Sequence, residues 1–207
     1  MFQIYYMGKY KDESQLTKGQ PYPYQATQFK ESENINEIFL QGLLLGLPLF
    51  LIMVFIVIYR LFTMDYVQDW NFHWFAIIVS IFLMYPLIIV HEIIHALVFP
   101  INARKEIWNY LDQGTMFVYC EEKLSRLRFI AMCLAPVIVL GILPFLLWYF
   151  IAPILTLEFS VCWLLMSFSM TISAVGDFVN VFNTIRQVPK GAKIFNYGFH
   201  SFWIQED

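Results

Sequence analysis

Charge is what this sequence has least of. Only 14% of its 207 residues are Asp, Glu, Lys or Arg, against about 25% in soluble domains. Hydrophobic residues make up 59% of the chain, and the mean hydropathy is +0.58. A chain this apolar cannot coat itself with a water-facing surface, which excludes an ordinary soluble domain and intrinsic disorder alike. A basic excess is also missing: 13 Lys+Arg against 16 Asp+Glu leaves a net charge of −3, so there is no footprint for nucleic acid. Cysteine is sparse, and Cys120, Cys133 and Cys162 are too widely spaced for a zinc knuckle or a disulfide framework. What remains is an integral membrane protein whose first partner is the lipid bilayer.

Four long apolar runs are present, at about 38–59, 74–99, 129–152 and 159–182. Each meets the roughly 20-residue length that a helix needs to cross the hydrocarbon. Residues 1–37 are polar and mixed in charge, so no cleavable signal peptide is expected there. The chain therefore divides into an N-terminal segment (1–37), a four-helix domain (38–185) and a tail (186–207). Lys and Arg alternate between the runs as 4, 0, 5, 0 and 3, with Arg60 the single dissenting charge. By the positive-inside rule both termini and the second loop are cytoplasmic. The expectation is a multi-pass protein of the cell membrane.

In the second loop, residues 106–111 and 115–120 are rich in aromatic and β-branched side chains and flank Asp112-Gln113-Gly114. They read either as a short β-hairpin or as an interfacial loop anchored by Trp108, Tyr110 and Tyr119. The expected fold class is all-α: four transmembrane helices with a short cytoplasmic β-hairpin between helices 2 and 3. Gly42 and Gly46 form a small-xxx-small pair suited to close helix packing. Ser167, Ser169, Thr171 and Ser173 are expected to hydrogen-bond between helices. His73 and His200 lie outside the runs and read as surface residues.

Only four ionisable side chains lie within the runs: His91, Glu92, His95 and Asp177. Charge in hydrocarbon costs about 2.5–3.5 kcal/mol per residue on insertion scales, so such residues need a reason. Three of them spell His91-Glu92-Ile93-Ile94-His95. On a helix, positions i and i+4 share a face, so both imidazoles reach one metal ion. Glu92 is turned about 100° away, where it serves as general base. Two imidazoles plus a carboxylate with an open position form a catalytic zinc set, which implies one Zn²⁺ per chain.

The third ligand has few candidates. A metzincin would need histidine at position 101, which is Ile101. A gluzincin would use Glu121 or Glu122 in the loop. Asp177 matches His91 in depth: with helix ends at Phe99 and Ile185, each lies eight residues inside, about 12 Å. Asp177 alone also reads as a cap or a partner of Arg186.

These features together resemble intramembrane zinc metalloproteases of the site-2 protease type. More narrowly, the chain is similar to a bacterial family of zincin-type peptidases in which a histidine-bearing helix precedes a Leu-Ala-Pro helix, here Leu134-Ala135-Pro136. The resemblance covers about residues 75–183. It implies His91, His95 and Asp177 as metal ligands, Glu92 as catalytic base and a membrane-associated protein as substrate, cut near the cytoplasmic face. The chain departs from the site-2 pattern in having Gly176 before Asp177, Phe178 after it and no Asn-Pro segment, although Asn180 is placed to position a substrate strand. Two other classes fit the same residues: a metal-ion or proton carrier, and a catalytically silent zinc-binding protein. Oligomeric state is not legible.

Overall fold

A computed structural model describes residues 3–18, 20–32, 34–63, 74–110 and 114–205. Asp112 and Gln113 of the expected turn, and His73, lie outside the described residues. Among the described residues, three helical segments are long and apolar enough to cross a membrane, and a bent helix pair counts as a fourth if it forms one span. The first is α2 (Ile35–Thr63), preceded by the short α1 (Ser14–Thr17). Asn34 opens α2 by accepting a hydrogen bond from the Asn36 amide at 3.0 Å. The second, α3 (Phe75–Val98), runs through Pro86 and stops where Phe99 turns extended ahead of Pro100.

The third segment spans Arg126–Ile154. It comprises α4 (Arg126–Pro136), a π-helical stretch over Val137–Ile142, α5 (Leu143–Ile151) and a terminal 3₁₀ turn. Ser125 caps its start through the Arg128 amide, 3.3 Å away. The fourth segment is α6 (Leu157–Ser173) followed by α7 (Val175–Gln187), bent by 42° at the junction. Large side chains on these helices face outward, with Phe55 69%, Phe82 76% and Phe150 73% exposed. That inversion of the usual pattern is what a lipid-facing surface requires.

The bundle closes where small residues let backbones approach. A Cβ on Gly42 would collide with the Val175 carbonyl, and one on Gly46 would sit 2.8 Å from the Phe178 ring. The α2–α7 seam therefore depends on both glycines, as their spacing predicts. Midway along the bundle, Met53, Phe145, Trp148 and Ala152 form an apolar core. Arg60 stacks over the Tyr149 ring at 5.0 Å, so the dissenting charge has a partner within the protein.

The fold is not purely all-α. Among the described residues, seven strands form two small sheets: β1 (Gln3–Lys9), β2 (Thr27–Gln28), β3 (Arg104–Tyr110), β4 (Thr115–Tyr119), β5 (Leu124–Ser125), β6 (Lys193–Tyr197) and β7 (His200–Ile204). Their orders are β1-β3-β4 and β2-β7-β6-β5. The hairpin reading of the second loop holds, with Glu106 opposite Tyr119 and Tyr110 opposite Thr115. Trp108 and Tyr119 are buried with Tyr10 and Leu16 instead of lying free as interfacial anchors.

The sequence reading missed the other five strands: the local β6–β7 hairpin was overlooked, and the remaining pairings run across long separations. The N-terminal β1 runs parallel to β3, β2 joins β7 of the tail, and β5 joins β6. The N-terminal segment, the second loop and the tail thus share one side of the bundle. An apolar cluster including Phe29, Phe99, Leu124, Phe129, Val188 and Ile194 welds this layer to the helix ends.

A second correction concerns the hydroxyls of α6. Thr171 Oγ1 donates to the Ser167 carbonyl at 2.9 Å and Ser173 Oγ to the Met170 carbonyl at 2.9 Å, both within their own helix. Between helices, Thr171 reaches only the Met53 sulfur, at 3.7 Å. Back-bonding of this kind satisfies hydroxyls in apolar surroundings without a partner helix.

Candidate metal centre

The i, i+4 spacing on α3 brings His91 and His95 together, with Nε2 atoms 3.1 Å apart. Both are buried, as is Glu92. His95 Nδ1 lies 2.9 Å from the Met132 carbonyl of α4. A carbonyl only accepts, so Nδ1 carries the proton and Nε2 presents its lone pair to the centre. His91 Nδ1 is buried without a partner among the described residues.

Asp177 arrives from the opposite helix pair. Its Oδ2 lies 3.4 Å from His91 Nε2 and its Oδ1 3.4 Å from His95 Nε2. The bend after Ser173 places Asp177 in the first turn of α7. There the unpaired amides of a helix start favour an anion, which makes a carboxylate at this depth tolerable. The depth match read from the sequence assumed one straight helix; the bend supplies a second reason for the same position.

His91, Glu92 and His95 each offer a ligand atom, all within 4.8 Å of one another. A tetrahedral zinc ion with bonds of about 2.0–2.1 Å holds its ligand atoms about 3.3 Å apart. The two imidazole Nε2 atoms, 3.1 Å apart, are close to that edge length, and Asp177 sets a different carboxylate oxygen 3.4 Å from each of them. The donor set of two imidazoles and a carboxylate also suits zinc.

The centre opens into a cavity of about 330 Å³. One wall is Thr115–Val118 of β4, the edge strand of its sheet. Asn180 lines it, as the sequence suggested, and so does Asn196 of β6, which the sequence reading missed. The signal for Asn196 was present: two aromatic runs around Gly198 read as a hairpin, and Gly198 at φ +59° makes its two-residue turn.

Glu121 and Glu122 do not join the histidines. They line a separate small cavity with Lys18, Arg104 and Glu106, where Lys18 lies 3.7 Å from Glu121 and 2.7 Å from Glu106. His200 faces Glu31 at 3.7 Å on the surface.

A helical bundle of membrane-spanning length, with a buried His-Glu-x-x-His helix facing an aspartate, defines a zincin-like membrane protein. The comparison with known families agrees. The family described as "Putative zincin peptidase" matches residues 84–193, just over half of the sequence, and the chain belongs to it. No curated protein matches the chain, and no solved structure does.

Proposed function

We propose that this protein is an intramembrane zinc endopeptidase of the site-2 protease type, cutting membrane-associated protein substrates near the cytoplasmic face. One observation carries the reading: His91, His95 and Asp177 converge on a single point beside Glu92, in a cavity walled by an unpaired strand edge. His91, His95 and Asp177 hold the ion. Zinc, when bound, supplies a water acidic enough to attack an amide at neutral pH. Glu92 takes up a proton at its carboxylate and delivers it to the leaving amine.

A peptide bond inside a helix is shielded by its own hydrogen bonds, so the substrate must unwind before it is cut. The free edge of β4 offers the unwound segment a strand to pair with. In an antiparallel ladder, alternate residues turn both N–H and C=O away from the partner strand. The Val118 amide is directed at Glu92, so Val118 and Met116 are the residues that face the cavity. Asn180 and Asn196 flank the same space and hydrogen-bond the incoming backbone. The basic side of the molecule, built from the N-terminal segment, second loop and tail, lies in the cytoplasm by the positive-inside rule.

The test is Glu92→Gln in purified, zinc-loaded protein against a membrane-protein substrate panel. The amide keeps the size of the side chain but cannot accept the proton. Zinc content is expected to stay at about one per chain while cleavage falls about 10²–10⁴-fold. Full cleavage by Glu92→Gln overturns the mechanism.

A further inference from the structure

We propose that the seam between α2 and α7 binds an anionic phospholipid, with the phosphate in a polar cavity at the helix ends and an acyl chain in the apolar groove beneath it. The inference rests on the membrane placement of these helices and is independent of the peptidase reading.

The polar cavity, about 660 Å³, lies where α2 begins and α7 ends, under β2 and Trp203. Its floor is Asn183, which is only 3% exposed. Gln187 fixes how that amide is turned. Gln187 Oε1 accepts the Lys30 amide proton at 2.7 Å, so its Nε2 is the donor, giving to the Lys30 carbonyl at 3.0 Å and to Asn183 Oδ1 at 3.1 Å. Asn183 lines the cavity, and its Nδ2 is left buried without a partner among the described residues. A buried N–H donor in that state calls for an acceptor.

Two cations stand over it. Lys30 and Arg186 line the cavity, and among the described residues neither has a carboxylate partner. Arg186 only leans over the Phe182 ring, at 5.8 Å. Among the described residues, Glu31 is the one acid lining the cavity, and it is turned to His200. A buried amide donor beneath two unanswered cations is a phosphate-binding arrangement.

The groove decides what carries the phosphate. Leu43, Gly46, Leu47 and Phe50 of α2, with Ile172 of α6 and Phe178 of α7, line an apolar groove of about 240 Å³. From Gln41 in the polar cavity to Gly46 in the groove is about 7.5 Å along α2, at 1.5 Å per residue. Phe182 and Phe178 are likewise one turn apart on α7. The two spaces are stacked in the order of an amphiphile, polar at the helix ends and hydrocarbon toward the bilayer centre. A free phosphate would use only the upper space.

Native mass spectrometry of the full chain in a neutral detergent tests this, with phosphatidylglycerol, phosphatidylcholine and glycerol 3-phosphate as probes. Phosphatidylglycerol is expected to be retained at least about tenfold more strongly than the zwitterionic lipid, and glycerol 3-phosphate not at all at matched concentration. Lys30→Gln with Arg186→Gln should weaken phosphatidylglycerol retention about 30-fold, taking about fivefold per cation near an anionic surface. Asn183→Asp keeps the acceptor for Gln187 but sets an anion on the cavity floor, and should abolish retention in protein that circular dichroism shows to be folded. Equal retention of the two lipids, or wild-type retention by the double variant, overturns the proposal. Competition by glycerol 3-phosphate as effective as the lipid itself overturns the acyl-chain half of it and with it the lipid.

Discussion

Replacing Asp177 by alanine is expected to remove most of the protein's affinity for zinc. The carboxylate places one oxygen 3.4 Å from each imidazole Nε2, and alanine ends at Cβ, far short of either. Neither of the loop acids Glu121 and Glu122 is positioned to replace it, because both line a different cavity beside Lys18 and Arg104. Losing even an outer-sphere partner of a metal ligand costs about 10–100-fold in affinity. A carboxylate in direct contact should exceed that, so we expect a loss beyond about 100-fold, or about 2.7 kcal/mol at 1.36 kcal/mol per decade. Competition against a chromophoric zinc chelator, with purified full-length protein checked by circular dichroism, reads this directly. Asp177→Asn should fall between, since an amide oxygen is a poorer, uncharged ligand. Zinc affinity unchanged in Asp177→Ala but lost in Glu121→Ala/Glu122→Ala would refute the reasoning and make the site gluzincin-like.

Other expectations follow from separate parts of the molecule. Gly42→Leu should lower the thermal midpoint in detergent, by the roughly 1–3 kcal/mol of overpacking, because its side chain meets the Val175 carbonyl; an unchanged midpoint would mean that the α2–α7 seam is looser than described. Glu106 is buried, which by itself would raise its pKa, yet hydrogen bonds and charge from Lys18 and Arg104 hold it below the usual carboxylate range. A depressed carboxyl pKa stabilises above the unfolded value and loses that contribution as pH falls through the folded one. Glu106→Gln should therefore lower the thermal midpoint at neutral pH, and its gap to wild type should close below about pH 4.5; a pH-independent gap would rule the ion pair out as its cause. For topology, single cysteines at Asp65 and Gln113 in a cysteine-free background should label from outside and only from inside respectively, and the reverse pattern would invert the orientation.

The metal helix was legible because its signal is local. Five consecutive residues place two imidazoles on one helical face whatever the rest of the chain does, and His91 and His95 meet accordingly. The three to four candidate membrane segments were legible because hydropathy adds up along a run. The hairpin of β3 and β4 was legible too, since its strands lie a few residues apart around a turn.

The β6–β7 hairpin carried a local signal as well, but strands β1, β2 and β5 did not, for a physical reason. β1 pairs with β3 across about a hundred residues, and parallel pairing leaves no turn between partners to read. The tail looked like an appendage because nothing local says that β6 would join β5 and bring Asn196 to the cavity.

By itself, the sequence determined the membrane class, the spans and the histidine pair, all of which depend on composition and short-range periodicity. Only the tertiary structure decided how the chain's distant parts meet. The break after Ser173 turns one long apolar run into two helices and sets Asp177 at the start of the second. A helix start lends its unpaired amides to an anion, and packing α7 against α4 and α2 aims that anion at the imidazoles. Bends and long-range pairings are chosen by the total energy of packing, to which each local segment contributes only a part.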